Sequence, residues 1–110
     1  MNLLNNISGI YTDYYQLTMA QGYFLTGRTD AVSCFDYFFR ENPFHGGYVL
    51  FAGLTDVLEM IEGFSFSDEM IDYLRRQGFN DDFLRYLRSF KFRGTITSVR
   101  EITVAARGAF

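Results

Sequence analysis

Apolar residues recur along this chain in two rhythms. Leu17, Ala20 and Phe24 stand three and four apart, on one face of a helix predicted over residues 12–26. Thr12 is its expected cap, Asp13 lies favourably at its positive end, and Gly27 is its stop. Leu54, Val57, Leu58, Ile61 and Phe64 form a second helical stripe that ends near Gly63. Two shorter helices follow. Ser67 caps the first, with Asp68 and Glu69 in its opening turn and Arg75, Arg76 and Gly78 at its end. Asn80 caps the other, with Asp81 and Asp82 early, Arg85 and Arg88 late, and Phe83, Leu84, Leu87 and Phe90 as its apolar face. Acid first and base last is the charge order that the helix dipole favours.

The second rhythm is that of strands. Residues 32–39 are an almost continuous apolar and aromatic run broken by Asp36, and read as a strand. Residues 41–47 carry Asn-Pro and Gly-Gly, which is turn chemistry, and residues 48–52 resume as a short strand. Gly94 breaks the helical pattern, after which residues 95–104 alternate as a strand. No repeat, low-complexity tract or flexible linker interrupts the chain. The expectation is one α+β domain, small and mixed, over residues 1–110.

Composition sharpens this picture at one point. Thirteen Phe and eight Tyr make 19% of the chain, and Trp is absent. Rings carry large burial areas, so such a chain is either a tightly packed small domain or part of a larger packed body. The net charge of -3 argues against nucleic acid or an anionic membrane as the main partner. The bases crowded at Arg75, Arg76, Arg85, Arg88, Lys91 and Arg93 read as a solvated helical face. Cys34 is the one cysteine, which excludes an intrachain disulfide and a cysteine-based zinc site, and reads as a small buried residue. With no basic-then-apolar leader and no apolar run near the roughly 20 residues that span a bilayer, a cytoplasmic location is expected. Asp68, Glu69, Asp81 and Asp82 are helix-start charges, not a general acid–base pair. Gly46-Gly47 is a weak anion-binding signal, since any tight turn wants glycine. No phosphate loop, dinucleotide fingerprint or metal-spaced cluster is present.

Two blocks carry a family resemblance. The run Thr12-Asp13-Tyr14-Tyr15-Gln16-Leu17-Thr18-Met19-Ala20-Gln21-Gly22-Tyr23-Phe24, taken with Phe38-Phe39-Arg40-Glu41-Asn42-Pro43-Phe44-His45-Gly46-Gly47-Tyr48, resembles the amino-terminal segment of nicotinate phosphoribosyltransferase. Phe51-Ala52-Gly53-Leu54 and Phe83-Leu84-x-x-Leu87-x-x-Phe90-x-Phe92 extend it to about Thr95. The likeness fades over residues 100–110, where a Pro-Glu-Gly sequence is expected and Arg100-Glu101-Ile102 stands instead.

The resemblance implies roles for three residues in substrate binding. Tyr15 falls on the aromatic of a Thr-Asp-x-Tyr motif that packs against the pyridine ring, reaching the active site of the other subunit of a homodimer. Offset stacking of flat rings contributes about 0.5–1.5 kcal/mol beyond area burial. Asp13 is a weaker candidate for holding the pocket, against a plain role at the helix start. Arg40 matches an arginine aimed at the phosphates of phosphoribosyl pyrophosphate, which its planar fork suits, against a solvated arginine at a strand end. His45 lies in the turn and is not the family's phosphorylated histidine.

By the same resemblance, an α/β barrel should follow near Phe110 and carry that histidine, the groups that hold the nicotinate carboxylate and the acids around magnesium. The reaction joins nicotinate to phosphoribosyl pyrophosphate in NAD biosynthesis, with ATP hydrolysis assisting. This chain is therefore expected to be an amino-terminal part, to hold no catalytic residue, to bind no cofactor alone (ATP and Mg²⁺ belonging to the full-length enzyme) and to be inactive by itself. The alternatives are a stand-alone binding module derived from the enzyme's cap domain, and a split enzyme whose barrel is encoded separately.

Overall fold

Helix starts and stops follow local chemistry. The computed structural model describes residues 8–105. Among them four helices run in the order α1 (Tyr14–Leu25), α2 (Leu54–Glu62), α3 (Asp68–Arg76) and α4 (Asp81–Arg88). A single 3-10 turn, Pro43–His45, precedes α2, and β1 (Val49–Leu50) pairs antiparallel with β2 (Val104–Ala105). The Ser67 hydroxyl accepts from the Met70 amide at 3.3 Å, and Asn80 Oδ1 accepts from the amides of Asp82 and Phe83 at 2.9 and 3.1 Å. These are two of the three caps that the sequence predicts. Asp13, not Thr12, occupies the cap position of α1, and its side chain makes no capping bond.

Two helices stop in the same way. Gly27 and Gly78 take left-handed φ values of 72° and 91°. At α1 the Arg28 amide reaches the Tyr23 carbonyl at 2.8 Å and Gly27 reaches Phe24 at 3.1 Å. At α3 the Phe79 amide reaches Leu74 at 3.3 Å and Gly78 reaches Arg75 at 3.0 Å. This double bond pattern satisfies carbonyls that a helix end would leave bare, and it needs a residue without a Cβ penalty. At α3 the turn also drives Phe79 back onto Leu74, and both are buried.

The core forms where α1, α3 and α4 meet. Leu17, Phe66, Ile71, Leu74, Phe79, Phe83, Leu84 and Leu87 are buried together, with Ala20, Phe24, Phe64, Tyr86 and Phe90 packed on the rim. Phe24 lies between Phe83 and Tyr86, with ring centroids 5.7 and 5.3 Å away. Ion pairs tie α3 and α4 at both ends: Arg75 to Asp81 at 3.3 Å, and Arg88 to Asp68 at 3.0 Å. Each joins the end of one helix to the start of the other, so the pair is antiparallel. These exposed pairs contribute little, about 0–1 kcal/mol each, and the apolar seam holds the helices.

Outside this core the sequence expectations change. Residues 31–39 form no regular element, although a strand is predicted over 32–39. A strand needs a ladder partner, and residues 32–39 enter no ladder among the described residues; Val32 and Phe35 are 97% and 90% exposed. Cys34, expected to be buried there, is exposed. The predicted strand over 95–104 shrinks to the two-residue β2, and that over 48–52 to β1. Helix α2 forms as expected but buries no residue; Val57 and Leu58 are exposed, and the stripe meets the core only through Phe64. What stands is a small, helix-dominated mixed domain with one minimal ladder.

Leu84→Ala is expected to lower unfolding free energy by about 2–5 kcal/mol in urea titration, because Leu84 is fully buried. Val57→Ala should change it by less than about 1 kcal/mol, since its side chain already meets water.

Candidate functional site

Asp13, Tyr14 and Tyr15 are neighbours at the start of α1, yet the helix sends them in different directions. Successive residues turn by about 100°. Tyr14 therefore meets Phe79 edge to face, centroids 5.7 Å apart at 70°, although it is itself 58% exposed. Tyr15 is 56% exposed and pairs with no other ring among the described residues. Its hydroxyl accepts a hydrogen bond from Gln16 Nε2 at 3.1 Å, and its carbonyl accepts from the Thr18 hydroxyl at 2.9 Å. The buried face of α1 is the one carrying Leu17, so Tyr15 is a surface ring on a fixed helix. Asp13 is exposed beside it, and its carbonyl accepts from the Gln16 amide at 3.0 Å.

Arg40 is placed by a different device. It stands exposed at a bend just before the turn of residues 42–47. There Asn42 Nδ2 donates to the Gly46 carbonyl at 3.1 Å, closing the turn. Phe44 and His45 both take left-handed backbone angles, φ 58° and 54°, which are uncommon for side-chain-bearing residues. Phe44 projects into solvent, 98% exposed. Asn42 is a residue that sequence reading left inside a generic turn; Asn before Pro is the available signal. No hydrogen bond, ion pair or ring contact joins Arg40 to Asp13 or Tyr15 among the described residues. The chain thus presents two exposed groups, an aromatic helix start and a basic bend, that no contact among the described residues joins.

A shallow cavity of about 260 Å³ lies elsewhere, lined by Tyr86, Ser89, Phe90, Lys91 and Arg93. Its cations sit just beyond the carbonyl end of α4, where positive charge is favoured on structural grounds alone. That same end disfavours an anionic ligand. Among the described residues no group of three or more His, Cys, Asp or Glu converges to hold a metal ion, and no helix is long and apolar enough to cross a membrane.

Comparison with known proteins decides what these groups belong to. The matching family model is described as the nicotinate phosphoribosyltransferase N-terminal domain, and it spans residues 10–110. The chain belongs to the nicotinate phosphoribosyltransferase family. It is similar to a nicotinate phosphoribosyltransferase of Mycobacterium tuberculosis, 38% identical over 105 residues, covering 94% of this chain and 22% of that protein. The nicotinate phosphoribosyltransferase of Caenorhabditis elegans is 40% identical over 86 residues, 76% of this chain and 15% of its own length. That of Bacillus subtilis is 40% identical over 76 residues, 68% of this chain and 16% of its own. The chain thus spans about a fifth, or less, of the nicotinate phosphoribosyltransferases it matches. No solved structure matches it. Both resemblance blocks lie within the family match, and the Thr12–Tyr15 motif is at its start.

The two tyrosines should separate on mutation. Tyr15→Ala is expected to leave stability within about 0.5 kcal/mol of the parent. Tyr14→Ala should lower it by about 0.5–1.5 kcal/mol or more by removing the edge contact to Phe79. Paired thermal and urea unfolding of the two variants checks this.

Proposed function

We propose that this chain is the amino-terminal part of an enzyme that joins nicotinate to phosphoribosyl pyrophosphate, giving nicotinate mononucleotide in NAD biosynthesis with ATP hydrolysis. The observation that carries this reading is the family match over residues 10–110, set against relatives four or more times longer. On this reading the chain supplies binding groups and the remaining length supplies the chemistry. Tyr15 offers its ring to the pyridine of nicotinate, and Asp13 helps to hold that end of the pocket. Arg40 offers its guanidinium to the phosphates of phosphoribosyl pyrophosphate, where a planar fork accepts two oxygens at once. The exposure of all three supports roles completed by other protein, including a second subunit of a homodimer facing Tyr15. The enzyme would work in the cytoplasm.

The residues described here do not fit a magnesium site, because no three carboxylates or other donors converge. No step is assigned to Mg²⁺ or ATP on this chain. A developing oxocarbenium and a departing pyrophosphate need several preplaced charges, and one ring with one arginine fall short of that. The 110 residues alone are therefore proposed to be inactive. The closed core of α1, α3 and α4 favours a second reading, a stand-alone binding module that folds unaided.

One set of measurements separates these. The purified chain, given nicotinate, phosphoribosyl pyrophosphate, Mg²⁺ and ATP, is expected to form no nicotinate mononucleotide by chromatography. It should bind a hydrophobic dye and self-associate in sedimentation, through its exposed rings. Turnover that follows the 110-residue species and is lost in Tyr15→Ala would overturn the claim of inactivity. A monodisperse, dye-silent protein with a cooperative unfolding transition would favour the module.

A further inference from the structure

Helix α2 begins at Gly53, a glycine with φ 94° that has no side chain to cap the exposed amides behind it. Glu101, 48 residues away, supplies the missing acceptor. Its Oε1 accepts from the Gly53 amide at 2.6 Å and from the Leu54 amide at 2.9 Å. A carboxylate on two amides at a helix start is a charge-assisted cap placed at the favourable end of the dipole. The neighbouring residues extend the same contact. The Ile102 amide donates to the Phe51 carbonyl at 2.6 Å, and the Phe51 amide donates to Thr103 at 2.9 Å. Val49 and Leu50 then pair with Ala105 and Val104. Residues 101–105 thus lie as a strap across the junction of β1 and α2.

Two further observations show what this strap works against. Ile102 takes φ 66°, a left-handed value that a β-branched residue adopts at a penalty. Its side chain is 74% exposed, so burial does not offset that penalty. Helix α2 meanwhile buries no residue, and Val49 lies outside the cluster formed by α1, α3 and α4. A ladder of two residues on each strand is marginal alone. We propose that Glu101 is a latch: its carboxylate closes the strap over the β1–α2 junction, and this unit opens and closes independently of the three-helix core. The strained Ile102 biases the latch toward opening, and the two amide bonds hold it shut.

Amide hydrogen exchange on the full chain, resolved by residue, tests this. In Glu101→Ala the amides of Gly53, Leu54 and Phe51 should exchange roughly ten- to a hundredfold faster, the range set by losing a charged hydrogen-bond partner. The core amide of Leu84, bonded to the Asn80 carbonyl, should keep its rate within about twofold. Ile102→Gly relieves the strain without touching the carboxylate, and should slow exchange at Gly53 and Leu54. Unchanged rates at Gly53 and Leu54 in Glu101→Ala would overturn the latch. Equal acceleration at Leu84 would overturn the independence of the unit.

Discussion

The core of this chain is organised by the apolar seam between α3 and α4. Ile71 and Leu74 on one helix, and Phe83, Leu84 and Leu87 on the other, leave almost no surface to water. The four residues that turn the chain between the helices include Gly78, whose left-handed backbone folds Phe79 back into the seam. Helix α1 is held because the seam leaves a place for Leu17 and Phe24. A polar bond fixes its register, the Gln21 side-chain oxygen accepting from the Asn80 amide at 2.7 Å. The amino-terminal approach is pinned by the same body. Gly9 donates to the Ser65 carbonyl at 2.9 Å, and a Cβ there would stand 2.4 Å from the Phe66 ring.

Against that small core stands a large unburied remainder. The accessible surface is 8952 Å², whereas a folded monomer of this mass exposes roughly 6,300 Å². The radius of gyration is 16.8 Å, against about 13 Å for a compact chain of this length. The excess surface is of the order that obligate association buries, and much of it is aromatic: Tyr11, Phe35, Tyr37, Phe44 and Tyr48 all lie open. The high ring content of the sequence thus finds its physical meaning in two parts. Some of the rings build the helical seam, and the others form a surface suited to contact with further protein.

The helices were legible in the sequence because their causes are local. Ser67 and Asn80 cap, Gly27 and Gly78 terminate, and the stripes of α1 and α4 pick out the faces that are buried. The strands were not, because their cause is remote. Residues 32–39 have every compositional mark of a strand, but a ladder requires a neighbour, which β-propensity cannot supply. The apolar stripe of α2 is similarly real in the sequence and without an opposing surface for Val57 and Leu58. The segment around Glu101, where the likeness was expected to fade but the family match continues to residue 110, caps a helix start 48 positions earlier, a pairing that no periodicity encodes. For the candidate site, the sequence named Tyr15, Asp13 and Arg40 but could not tell that the fold leaves them exposed and unjoined.

The adjacency of Tyr14 and Tyr15 has a consequence for how this surface can change. Because one ring is clamped against Phe79, the azimuth of the next is dictated by the helix screw and has little freedom of its own. The clamp acts as a phase reference. An insertion or deletion of one residue within the helix start would turn both rings by about 100° and carry the first away from Phe79. Point substitutions at the exposed position leave that phase intact. The exposed position can therefore diversify chemically while the anchored one is held to an aromatic that fits Phe79, so two identical residues side by side answer to entirely different constraints.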